Sequence, residues 1–293
     1  MGGGDPFALD DAAAYRAWRA RKLAARPRRV DQLLVAVGDL ARPTRAEHTA
    51  LLQRLSRANL ALYQCDPGTP RAAVLAFAGR FGLATLDHNP AADDDGLSAI
   101  QVQEARQTGE FIPYTDRAIR WHTDGYYNPP ERTIRAFLLH CVRPAASGGV
   151  NTLLDPELLY LRLRDQDPAL IAALMHPQAM TIPAHVEAGV VRRPEQTGPV
   201  FSVLRGGPRP ALHLRYTART RSIRWRDDAA TRAAVAELAA LLAEPVADAL
   251  VHRLEPGQGL LCNNVLHARS AFRDAGAGRL LYRARFHERI AGT

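Results

Sequence analysis

The chain has 293 residues, of which 47% are apolar, and carries 38 Lys and Arg against 30 Asp and Glu, a formal net charge of +8. That size and composition exclude a disordered chain and suffice for a sizeable buried core. The charge does not indicate a nucleic-acid partner, because it comes from arginines scattered from Arg16 to Arg289, with Lys22 an isolated lysine and no basic stripe interleaved with aromatic residues.

Residues 1–42 are rich in Ala and Arg and read as an N-terminal helical extension, with a helix from Ala12 to Ala25 that Pro27 stops. Residues 43–293 read as a single domain. Thr44 with Glu47 forms a capping-box pattern ahead of an apolar helical stripe at Leu51, Leu52 and Leu55. Leu60 to Cys65 is a predicted strand, and Thr69-Pro70 opens a helix through Phe81 that Gly82 ends. From Leu97 onward short β-like runs dominate: Leu97 to Val102, Phe137 to Val142, Val200 to Leu204, Ala211 to Tyr216, Gly259 to Asn264 and Arg279 to Phe286. Asp155-Pro156 and Asp167-Pro168 each supply an acidic cap and a proline for the first helical position, and a last helix is expected from Asp228 to Glu244. With no internal repeat and no low-complexity linker, the pattern is that of one β-rich core with helical additions, a sandwich or barrel.

Cys65, Cys141 and Cys262 are widely separated and form no C-x-x-C pair, so neither a disulfide framework nor a structural zinc site is expected. A reducing cytoplasm is the expected setting. No apolar run approaches the roughly 18 residues of a membrane span, and the chain reads as neither secreted nor membrane-embedded. A homo-oligomer is compatible with the sequence, which does not set the assembly state.

The chemistry concentrates at Trp121-His122-Thr123-Asp124-Gly125. On an extended strand, residues two apart share a face, so His122 and Asp124 can offer an imidazole and a carboxylate to one ion. His267 would complete a set of two histidines and one carboxylate, which leaves three open positions on an octahedral ion and suits non-haem Fe(II). Arg279 opens the last predicted strand, where Leu281, Arg283 and Arg285 share its face. A buried arginine on a sheet is costly unless an anion accepts its hydrogen bonds, and a small dicarboxylate would be a suitable one.

Trp121-His122-Thr123-Asp124, Gly148-Gly149 with Thr152, Glu255-Pro256-Gly257 with Asn264 and His267, and Arg279-x-x-x-Arg283 together resemble the taurine/2,4-dichlorophenoxyacetate-type (TauD/TfdA) family of Fe(II)- and 2-oxoglutarate-dependent dioxygenases. The resemblance runs from roughly residue 40 to 287. It implies a mainly β fold with flanking helices, a double-stranded β-helix or jelly roll, with Fe(II) held by His122, Asp124 and His267. It further implies that Thr152 and Arg279 bind the distal carboxylate of the cosubstrate 2-oxoglutarate, and that Arg283 lies near the metal. The implied reaction consumes O2 and 2-oxoglutarate, releases succinate and CO2, and oxidises a small-molecule substrate. The resemblance also implies that Asp124 occupies the position that halogenating relatives fill with a small residue, so hydroxylation, or hydroxylation followed by loss of a leaving group, is expected over halogenation.

Arg283, Arg285, Arg215 and Tyr216 are candidate substrate-binding residues, and the arginines favour an anionic substrate. Tyr114, Tyr126 and Tyr127 flank the metal motif, and the segment from Asp87 to Tyr114 is expected to be a variable loop over the site. Histidines 140, 176, 185, 213 and 252 show no spacing of a second metal site and read as structural. Two readings from other classes remain: a non-catalytic jelly-roll sensor that retains the metal, and a zinc hydrolase, which lacks an evident general base.

Overall fold

A computed structural model describes residues 4–87, 96–102, 112–207, 209–219, 223–243 and 245–293. Its helices begin where the sequence supplies caps. Asp11 accepts from the Ala14 amide to start α1 (Ala12–Ala25), and Thr44 and Glu47 cap each other's backbone at α2 (Arg45–Ala58), which Asn59 closes in the left-handed region. The next helix, α3 (Arg71–Gly79), is shorter than the predicted Thr69-to-Phe81 span because the chain turns at Arg80. Asp155, Asp167 and Asp228 cap α4 (Pro156–Gln166), α5 (Pro168–Leu174) and α6 (Ala229–Leu241).

Ten strands among the described residues build two sheets: β1 (Leu34–Ala36), β2 (Leu60–Gln64), β3 (Ser98–Ile100), β4 (Ile119–His122), β5 (Ala136–Arg143), β6 (Asn151–Leu154), β7 (Leu250–His252), β8 (Gln258–Cys262), β9 (Leu266–Arg269) and β10 (Leu280–Phe286). The larger sheet has the order β1-β2-β8-β5-β10-β3 and the smaller β7-β6-β9-β4. Alternation along each strand sorts the side chains. Leu60, Leu62, Phe137, Leu260 and Leu281 of the larger sheet meet Leu153 and Leu250 of the smaller in the interior. The opposite face of the larger sheet carries Tyr63, Leu138, Ala284 and Phe286 against Leu51 and Leu55 of α2 and Val74 and Phe77 of α3. Trp121, Leu154 and Leu266 on the outer face of the smaller sheet pack against α4, α5 and α6. Each such fully buried side chain contributes about 1.5–3 kcal/mol relative to exposure, so the helices seal both faces of the sandwich. The result is a double-stranded β-helix with flanking helices.

Three features were not anticipated. The N-terminal segment is not helical throughout, since β1 pairs in parallel with β2 at the edge of the larger sheet. Lys22 is buried against Asp155 and Glu157, at 2.5 Å from each, and donates to the Arg57 carbonyl, fastening α1 to α2 and α4. The predicted Gly259-to-Asn264 strand ends earlier, at Cys262: a turn at Asn263-Asn264 closes β8 and carries the chain across to β9 in the opposite sheet. Of the segment read as a variable loop, residues 88–95 and 103–111 lie outside the described residues.

Candidate metal centre

Antiparallel pairing of β4 with β9 sets His267 opposite His122, and the two imidazole centroids are 4.1 Å apart on the interior face of the smaller sheet. Each ring uses Nδ1 on its own chain, His122 toward the Arg120 carbonyl and His267 toward the Val265 carbonyl, both at 2.9 Å. Donation to a carbonyl places the proton on Nδ1 and leaves the Nε2 lone pair for an ion. Burial, with His267 alongside, pushes His122 down to about 3, and burial also lowers His267, so both rings are neutral at ordinary pH.

Asp124 lies two residues past the strand end, in a turn, yet its Oδ1 is 3.8 Å from Nε2 of His122 and 3.9 Å from Nε2 of His267. Gly125 makes that turn possible. It adopts φ 66°, and a Cβ there would sit 2.4 Å from Cγ1 of Ile134. Burial alone would raise the Asp124 carboxyl, but Arg283, Arg285 and the two imidazoles hold it well below the usual carboxylate range. Arg283 reaches Oδ2 at 3.5 Å, and that oxygen, buried, accepts no hydrogen bond. Among the described residues, the donor atoms of His122, Asp124 and His267 form the one such group within 4.8 Å of one another. Two neutral imidazoles, one anionic carboxylate and a buried oxygen lacking a hydrogen bond fit a divalent ion with positions left open.

The inward face of β10 carries Leu281, Arg283 and Arg285, while Arg279 lies one residue before the strand, ahead of a register shift between Leu280 and Leu281, and lines the same cavity as Leu281. Arg285 bonds Asp87 at 2.5 Å and donates to the Tyr127 hydroxyl at 3.2 Å. Asp87 also meets Arg132 and Asn128. Arg285 is therefore held in an internal ion-pair network rather than presented to a substrate. Arg279, 4% exposed, stacks its guanidinium on Phe272 and makes no side-chain hydrogen bond or ion pair among the described residues. Burial pushes it down to about 10, which leaves it cationic. It lines a cavity with Cys141, Ala145, Gly149, Asn151 and Arg253.

Thr152 is absent from that lining. On β6, Thr152 pairs with Ala268 and with Val251, which is 61% exposed, whereas Asn151 and Leu153 pair with Arg269 and His267. Paired residues share a face, so Thr152 points away from the metal side, and Asn151 is the polar residue of this segment beside Arg279. The sequence reading missed this because a glycine pair and two leucines bracket the segment and do not reveal its parity.

Two further expectations are corrected. Arg215 gives its guanidinium to the backbone carbonyls of Tyr126, Met180, Gln196 and Gly198 and so braces loops instead of lining a pocket. Tyr216 lies in the outer core with Trp121, where burial pushes its hydroxyl up to about 12. Its backbone does serve the site, exchanging hydrogen bonds with Thr123, between the two ligand candidates.

Among solved structures the chain is similar to an asparagine oxygenase in complex with Fe(II), 2S,3S-3-hydroxyasparagine and succinate (TM-score 0.57, 20% identity, covering 97% of this chain and 85% of that one). It is also similar to the non-haem iron oxygenase OrfP in complex with Fe, succinate and (3R,4R)-dihydroxy-L-Arg (TM-score 0.63, 16% identity, covering 84% and 82%). Among curated proteins, a uridine-5'-phosphate dioxygenase of Amycolatopsis sp is 31% identical over 174 residues, 57% of this chain and 60% of that protein. One of Streptomyces sp is 34% identical over 119 residues, 39% and 40% of the two chains. The matches thus span 60% or less of these curated relatives. The model of the taurine catabolism dioxygenase TauD, TfdA family matches residues 29–285, and the chain belongs to that family.

Proposed function

We propose that the protein is an Fe(II)- and 2-oxoglutarate-dependent oxygenase that hydroxylates a small molecule, converting substrate, O2 and 2-oxoglutarate to hydroxylated product, succinate and CO2. The observation that carries this reading is the joint presence, in one sandwich interior, of the His122, Asp124 and His267 donor set and a buried Arg279 whose guanidinium makes no ion pair among the described residues. When bound, Fe(II) and 2-oxoglutarate would supply oxygen activation, with O2 as the oxidant and decarboxylation of the keto acid providing two of the four electrons that reduce it.

The residues of this chain do the holding and orienting. His122 and His267 offer Nε2, and Asp124 offers one carboxylate oxygen while the other faces Arg283. Arg279, assisted by Asn151, holds the distal carboxylate of 2-oxoglutarate through charge-assisted hydrogen bonds. Arg283 steadies Asp124 and lends the centre positive charge, which favours an anionic substrate. The relatives named for uridine 5'-phosphate support an anion of that size. No helix among the described residues is long and apolar enough to cross a membrane, and the three free cysteines are buried, in keeping with a cytoplasmic setting.

The test is turnover with Fe(II), 2-oxoglutarate and a panel holding uridine 5'-phosphate, other nucleoside monophosphates, L-asparagine and L-arginine. One substrate should give hydroxylated product matched by succinate. Metal-loaded protein that forms no succinate from 2-oxoglutarate with any of these would contradict the reading.

A further inference from the structure

We infer that Asn264 is a positioning residue for the metal centre, fixing Asp124 by a reciprocal clamp on its peptide. The Asn264 side chain accepts from the Asp124 amide at 2.8 Å and donates to the Asp124 carbonyl at 2.9 Å. Its second amide proton goes to the Ile134 carbonyl at 2.7 Å. One fully buried side chain thus satisfies three backbone groups on two segments that lack strand pairing of their own. Asp124 needs this because β4 ends at His122, and past the strand end no ladder fixes its φ and ψ.

The clamp is itself anchored. Asn264 sits at φ 48°, in the left-handed region that Asn tolerates better than most residues. Its neighbour Asn263 donates its backbone amide to the Asn59 carbonyl at 2.8 Å, accepts from the Ile290 amide at 3.1 Å, and donates through Nδ2 to the Thr293 hydroxyl at 3.0 Å. The turn between β8 and β9 is therefore tied to the end of α2 and to the C-terminal segment, and through Asn264 it transfers that rigidity to Asp124. His267 lies three residues further on, so the same turn sets both a carboxylate and an imidazole of the donor set. A carboxylate held in place loses little freedom on taking up an ion. Freed, it would have to be ordered by the ion itself.

This inference rests on the metal reading of His122, Asp124 and His267, and the experiment separates the two. Co(II) is titrated into wild type, Asn264→Gly and Asn264→Asp, following its visible absorption, with thermal unfolding of each apoprotein recorded alongside. Gly keeps the left-handed turn and removes the clamp, and Asp keeps the acceptor and removes both donors. The expected result is folded variants whose Co(II) dissociation constants rise about 10- to 100-fold, with an altered Co(II) spectrum, since a purely conformational role would leave Asn264→Gly unaffected. Unchanged affinity and spectrum in either folded variant would overturn the inference while leaving the metal reading intact. Unfolding of both variants would also overturn it, making Asn264 a determinant of the fold instead. Failure of wild type to bind Co(II) would overturn the metal reading, and the inference with it.

Discussion

Arg279, immediately before β10, and Arg285, near its far end, are equally withdrawn from water, 4% and 5% exposed, yet their surroundings are opposite. Arg285 has Asp87 at 2.5 Å and the Tyr127 hydroxyl at 3.2 Å, and although burial alone would lower it, Tyr127, Asp124 and Asp87 raise it. Arg279 has an aromatic ring and a cavity, and burial lowers it to about 10. A buried cation that the fold has neutralised belongs to the structure. One whose guanidinium makes no ion pair among the described residues, with Asp274 accepting only its backbone amide, is open to an anionic ligand, because burying a poorly compensated charge is unfavourable unless binding offsets it.

The contrast is broken most severely by removing the paired member. Arg285→Met leaves Asp87 buried with Arg132, Asn128 and the His287 ring as its side-chain partners, and should destabilise the fold by about 3–5 kcal/mol in urea unfolding, whereas Arg279→Met should cost less than about 1 kcal/mol or stabilise. For ligand binding the order reverses. Arg279→Met should raise KM for 2-oxoglutarate about 10- to 100-fold, the worth of roughly 1.5–3 kcal/mol for a hydrogen bond to a charged group. Equal losses of stability in the two variants would erase the distinction.

His140 sharpens the same point, since a buried imidazole, unlike a guanidinium, can shed its charge. It is fully buried, hydrogen-bonded to the Tyr63 hydroxyl at 3.1 Å, and pushed down to about 4 by burial. Below pH 6.5 the unfolded chain takes up a proton that the folded chain refuses, so stability is full above that pH and declines toward pH 4. At pH 5.5 the loss from this group is about 1.4 kcal/mol. His140→Gln should shrink the difference in unfolding free energy between pH 7.5 and 5.5 by about that amount, and an unchanged difference would refute the assignment. The smallest effect separates two neighbours on β6: Asn151→Ala should raise KM for 2-oxoglutarate about fivefold, for a lost hydrogen bond of about 1 kcal/mol, while Thr152→Val leaves it unchanged. The reverse pattern would restore Thr152 to the role the sequence suggested.

Much of the architecture was legible because local chemistry and tertiary structure agree. The Thr44 and Glu47 capping box, the three aspartate caps and the shared parity of Leu281, Arg283 and Arg285 all follow from short-range rules. Register and strand exchange were not legible. The short β1 and β7 carry too few residues to show a period, and the two leucines of Asn151–Leu154 conceal which face is inside. Nor does the sequence show that Arg215 meets four carbonyls, or that Asp87 is the partner of Arg285, since these contacts span long separations in the chain.

The most direct test is calorimetric titration of 2-oxoglutarate, without oxygen, into wild-type protein with and without Mn(II), and into His267→Ala with Mn(II). A cosubstrate held jointly by Arg279 and by a metal on His122, Asp124 and His267 would bind to wild type only when the metal is present, and not to His267→Ala. Equal binding in all three samples, or none in the Mn(II)-loaded wild type, would contradict it.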